Sequence, residues 1–235
     1  MTITPEQRTY ARFAGITILV HVVLEGIGDS VTIIARGGET FAEKALHAAT
    51  HPVLWRAALL SVGGSWIAIG VLAYALYVVL EPVNKRLAEL AFVLRLGASF
   101  VGAASLMFRF ARARLYMASS TPDLFASEQL RALDAVIGQG ANAGIQTSWI
   151  FMGAGMVIFY LLFLRSGYLP RTLARLGIVT AALLVAITLV MFMYPAWVNQ
   201  LKLVLVPGLL ADVVTAVWLL SKGLQPRARA EATAC

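Results

Sequence analysis

Residues 10–35 read YARFAGITILVHVVLEGIGDSVTIIA, apolar enough to cross a bilayer except for Arg12 near the start and three ionisable groups, His21, Glu25 and Asp29, spaced four apart. An α-helix repeats every ~3.6 residues, so positions i, i+4 and i+8 run along one stripe. The three groups therefore share a face. Burying an ionised side chain at the bilayer centre costs at least ~2.5 kcal/mol, so such groups turn to the interior of a helix bundle, pair, or neutralise. The stripe predicts a helix that borders a polar space inside the membrane.

The rest of the chain agrees with this setting. Hydrophobic residues make up 60% and charged residues 13%, and the mean hydropathy is +0.80, outside the range of soluble globular domains. Windows of roughly 20 apolar residues predict six spans, at 11–34, 54–80, 88–111, 142–164, 172–194 and 200–221. The expected fold is an all-α six-span bundle forming one membrane domain over 1–235. The first span carries the polar stripe and lacks a small-residue cleavage site, so it reads as a retained helix rather than a signal peptide. With one cysteine, Cys235, no internal disulfide is possible.

Lys and Arg set the orientation. Ten, among them Arg8, Arg12, Lys85, Arg86, Arg165 and Arg171, fall on one side and seven, among them Arg36, Lys44, Arg112 and Arg114, on the other, with Arg95 and Arg109 inside span three. Both termini are thus expected on the cytoplasmic side of a cell membrane. The net charge of +7 suits anionic lipid headgroups, and no basic patch interleaved with aromatics points to nucleic acid. The sequence sets no oligomeric state. Connections EPVNKR (81–86) and RSGYLPR (165–171) are tight turns. The longer segment 122–138, with Thr121 as N-cap, Pro122 behind it and the glycines Gly138 and Gly140 at its end, is expected to form an amphipathic helix on the outer surface. Arg112 and Arg114 are expected to snorkel to lipid phosphates.

The spacing recurs in TFAEKALHAATHP, where Glu43, His47 and His51 lie four apart. Two histidines and a carboxylate are weak metal candidates, because a site needs further ligands and Pro52 ends the helix beside His51. No metal and no cofactor is assigned. Inside the membrane, Glu25, Asp29 and Asp212, Arg95 and Arg109, and Asn142, Gln146 and Trp149 of span four are expected to converge on one pocket in the outer half, with Trp66 as a further wall. Arg95 is expected to pair with Asp212 or Glu89.

Four segments, ARFAGITIL, EPVNKRLAELAFVLRLGAS, FLRSGYLPR and DVVTAVWLLSKG, at these spacings make the chain resemble the bacterial six-span membrane family catalogued as domain of unknown function 4386. The resemblance implies six spans and weight on Arg95 and Asp212. Asp212 stands where the family pattern has Glu, and Ala141 and Asn142 stand where it has His or Asp.

The residue types favour acid–base chemistry. An acid held neutral by apolar surroundings donates a proton, a second group accepts one, and aromatic faces stabilise a developing cation. Glu25, Asp29, Asp212 and His21 are the catalytic candidates. Arg95, Arg109, Asn142, Gln146, Trp149 and Trp66 are the substrate-binding ones. The expected function is cyclisation or isomerisation of a lipid-soluble, isoprenoid-like substrate. A proton-coupled carrier or small-ligand binder is the alternative, although no inverted repeat is evident, and a structural or partner protein is the third reading. No GxSxG, HExxH, phosphate loop or CxxC is present, which disfavours serine hydrolases, zinc proteases, nucleotide motors and thiol redox enzymes.

Overall fold

The computed structural model describes residues 3–118, 127–194, 197, 201 and 206–225. Among them are seven helices: α1 (Pro5–Arg36), α2 (Phe41–Thr50), α3 (Pro52–Leu80), α4 (Lys85–Ala118), α5 (Ser127–Ser166), α6 (Arg171–Met193) and α7 (Val206–Ser221). Local chemistry sets their ends. Thr4 and Gln7 form a reciprocal capping box with Pro5 at the first helical position, which satisfies amides that the first turn leaves free. Gly37, at φ 53°, ends α1 in a conformation that side chains with a Cβ rarely adopt. Asn84 caps α4 by accepting from the Leu87 amide at 3.0 Å.

The helices form a ring. α1 packs along α3, α3 along α4, α4 along α5 and α5 along α6, while α7 closes the circle against α6 and α1. Gln7, 3% exposed, donates to the Val79 carbonyl at 2.9 Å and to the Tyr168 hydroxyl at 3.3 Å, and the Gln225 amide donates to the Tyr168 carbonyl at 3.1 Å. The first and last helices therefore meet at one end of the ring, the near end. The far end carries α2, which lies over α4. Ile16, Val23, Leu60, Phe100, Leu189 and Val217 point outward. Large apolar side chains outside and polar groups between the helices are the arrangement a bilayer selects.

Five helices, α1, α3, α4, α5 and α6, are long and apolar enough to cross a membrane. α7 is apolar but has 16 described residues, and part of the expected 200–221 span lies outside the described residues. The expected surface helix at 122–138 is revised over its described part. From Ser127 it runs unbroken through Gly138 and Gly140 into span four as one 40-residue helix, about 60 Å at ~1.5 Å per residue, twice the ~30 Å hydrocarbon core. Thr121 and Pro122 lie outside the described residues. The reason for continuity is lateral support: Arg112 of α4 grips Asp134 of α5 through two hydrogen bonds, the Nη2–Oδ2 one at 3.0 Å, and Tyr116 donates to Asp134 Oδ1 at 2.8 Å. Arg112 is thus an ion-pair partner and not a snorkelling residue.

α2 is held by its own cap. Glu43 Oε2 accepts from the Glu39 amide at 2.8 Å and the Thr40 amide at 3.0 Å. These bonds, the Thr40 one foremost, hold the Glu43 carboxyl below the usual glutamate range. His47 Nδ1 lies 3.2 Å from the Ala35 carbonyl and its ring stacks on His51 at 4.4 Å. His47 thus ties α2 to the end of α1, while Glu43 and His51 close the two ends of α2 itself, and no cluster of three or more metal-ligating side chains occurs among the described residues.

Candidate functional site: two cavities joined by His21, Ser65 and Glu25

The expected single pocket is two cavities at different depths. The outer one, about 440 Å³, opens at the far end between α1, α4 and α5. Glu25, Asp29, Arg109, Asn142, Gln146 and Trp149 line it, and Arg36 and Trp55 add to its rim. The Asp29 side chain, 57% exposed, pairs with Arg109 at 3.4 Å. The inner cavity, about 60 Å³, lies between α1, α3, α4, α5 and α7. His21, Arg95, Tyr160, Asp212 and Thr215 provide its polar surface, and Met152, Met156, Phe159 and Phe163 much of its apolar wall. Asp212 therefore faces a different space from Glu25 and Asp29. Trp66 lines neither cavity. It is buried against Val62 and Ile69.

One line of hydrogen bonds connects the two. Ser65, fully buried on α3, donates its hydroxyl hydrogen to Glu25 Oε2 at 2.6 Å, and its Oγ lies 2.8 Å from His21 Nδ1. A hydroxyl has one hydrogen to give. With that hydrogen on Glu25, His21 Nδ1 is the donor to Ser65, and Nε2 is left as an acceptor. His21 lines the inner cavity and Glu25 the outer. Spacing of four along α1 places the two side chains on one face, and Ser65 fills the gap from the facing helix.

Arg95 is 3% exposed and forms no ion pair or hydrogen bond among the described residues; its Nε is buried without a partner. The expected pairing does not occur. Glu89 stays outside, 4.0 Å from Lys85, and Asp212 is held back across the cavity by the Tyr160 hydroxyl, which donates to Asp212 Oδ1 at 3.1 Å and lies 3.1 Å from Thr215 Oγ1. Two glycines make room for this. A Cβ on Gly155 would stand 2.7 Å from Arg95 Cγ and 3.0 Å from the Ala91 carbonyl, and one on Gly177 would overlap the Tyr160 ring at 2.4 Å.

Ser65, Tyr160 and Thr215 carry no charge and no motif, and sequence reading alone passes them over. The one signal available was for Ser65: a polar residue beside two glycines in SVGGSW, deep inside an apolar span.

A ring of apolar helices around buried polar cavities defines a helical protein of membrane character. The chain belongs to the family described as domain of unknown function (DUF4386), whose model matches residues 13–223. No curated protein and no solved structure matches it.

Proposed function

We propose that this is a multi-pass cell-membrane protein with six passes and both termini cytoplasmic, and that it performs acid–base chemistry on a lipid-soluble molecule bound in the outer cavity. The meeting of Gln7 and Gln225 at Tyr168 supports an even number of passes, and the Lys and Arg bias supports the orientation. The outer cavity has the volume of a small-molecule pocket. Trp149 and Trp55 offer aromatic faces, and Arg109, Asn142 and Gln146 offer polar anchors. The observation that carries the reading is the Glu25–Ser65–His21 line. Glu25 acts as the proton-transfer group and the line exchanges protons between it and His21.

Protonation at carbon is directly readable. The protein, incubated in D2O with a total membrane lipid extract, leaves deuterium on carbon in any lipid it isomerises or cyclises. A lipid labelled by the wild type and not by Glu25→Gln supports the reading, and unlabelled lipid throughout refutes it. The carrier alternative is favoured by one observation, that the line joins two cavities. It predicts proton movement in liposomes with no deuterium on carbon.

A further inference from the structure

We infer that the inner cavity is a binding site for a small carboxylate, taken up together with a proton that reaches His21 along the Glu25–Ser65 line. Arg95 supplies the first argument. A guanidinium stays protonated in proteins, and leaving its donors buried without acceptors is costly even when a carboxylate across the cavity, here Asp212, balances the charge. Here the cation is buried, unpaired and faces a cavity. Its planar fork matches a carboxylate in bidentate geometry.

Size and charge narrow the class. A cavity of about 60 Å³ holds roughly four to six water-sized volumes, the bulk of acetate or propionate. Met152, Met156, Phe159 and Phe163 meet the alkyl end. A phosphate dianion would set more negative charge beside Asp212. The titratable and charged groups facing the cavity are His21 from α1, Arg95 from α4, Tyr160 from α5 and Asp212 from α7; the α3 wall contributes Leu72 and Leu76. Arg95 and Asp212 cancel, so a carboxylate brings an excess negative charge, which an imidazolium at His21 balances.

The proton balance closes once Glu25 is protonated, a state in which both hydrogen bonds of the line are reversed: Glu25 donates to Ser65 Oγ, Ser65 donates to His21 Nδ1, and the imidazole hydrogen stands on Nε2 in place of Nδ1. From there Glu25 gives its hydrogen to Ser65 Oγ while the Ser65 hydrogen passes to Nδ1. Glu25 becomes a carboxylate, Ser65 is unchanged, and His21 becomes an imidazolium facing the bound carboxylate. This step rests on the proposed acid–base reading, whereas the Arg95 site stands without it.

Acetate, benzoate and oleate, added separately to the protein in nanodiscs, test the site. Acetate is expected to raise the melting temperature saturably, by roughly 5 °C at a hundredfold excess over its dissociation constant, and benzoate to be excluded by size. Arg95→Gln alone strands Asp212, so the paired variant Arg95→Gln/Asp212→Asn, which removes both charges and keeps their shape, is the control; it is expected to fold and to lose the response. No response to acetate in the wild type, an equal response in the paired variant, or a response to oleate in place of acetate overturns the proposal. Calorimetry in two buffers of different ionisation enthalpy reads the proton, expected at about one per acetate when the bound charge is compensated. Glu25→Gln is expected to keep the acetate response and lower the proton uptake. Unchanged uptake in Glu25→Gln removes the proton line and leaves the carboxylate site standing.

Discussion

Ser65 and Glu25, on helices α3 and α1, share a hydrogen bond of 2.6 Å in which the serine is the donor. That direction fixes the donor role of His21 Nδ1 on the other side of the serine and makes three side chains one conducting line. Ser65→Ala cuts the line and leaves the Glu25 side chain short of a partner. Loss of a buried hydrogen bond costs about 1–3 kcal/mol. The expected result is a modest fall in melting temperature with deuterium labelling abolished as fully as in Glu25→Gln. Labelling that survives in Ser65→Ala would show that Glu25 works alone.

Asp134 serves both Arg112 and Tyr116, whose ring packs in the Trp55 cluster at the far end. The Arg112 and Asp134 side chains are 19% and 15% exposed. Charge-assisted bonds at such burial are worth about 1.5–3 kcal/mol, so Arg112→Ala and Asp134→Ala should each lower stability by that order, with a double-mutant cycle showing strong coupling. Arg114→Ala, at an exposed position, should do nothing. Additive effects of the first two would separate the residues.

What was legible in the sequence was whatever length and periodicity encode. The apolar windows put five long helices in place with ends within a few residues for α3 and α6, and the i, i+4 stripe put His21 and Glu25 on one face. The site's division was not legible, because it depends on neutral side chains. Tyr160 restrains Asp212 and Ser65 bridges His21 to Glu25, yet Ser65 is no different in type from the hydroxyl residues that merely bond their own helix, such as Thr17 and Thr180, and Tyr160 is one uncharged aromatic among many in the chain. Likewise Gly138 and Gly140 read as a break, but a 40-residue helix passes through them because Asp134 is anchored sideways.

The capping box of α2 gives a pH dependence of defined sign. The Glu43 carboxyl is held below its ordinary range by the Thr40 and Glu39 amides. A depressed carboxyl stabilises the fold above its unfolded pKa, and the contribution fades as pH falls through the folded one. Hydrogen-exchange protection over 41–50, taken relative to the intrinsic exchange rate at each pH, should therefore fall on acidification below the glutamate range, and in Glu43→Ala at neutral pH. Protection that does not change with pH would assign the stability of α2 to its contact with α4.

Topology is testable in a chain whose single cysteine, Cys235, is first replaced by serine. A cysteine at Glu39 should be labelled by an impermeant reagent from outside intact cells, and one at Arg86 only after permeabilisation. The opposite pattern would turn the outer cavity toward the cytoplasm.

The proton line itself is best read at its histidine. The chain has three histidines, so 15N-histidine spectra of the protein in nanodiscs resolve into few signals, and His21→Asn assigns one of them. The account predicts that at neutral pH the His21 Nδ1 bears hydrogen and Nε2 is bare, and that both signals move in Ser65→Ala and in Glu25→Gln. His21 signals that are identical in the wild type and in both variants would contradict it.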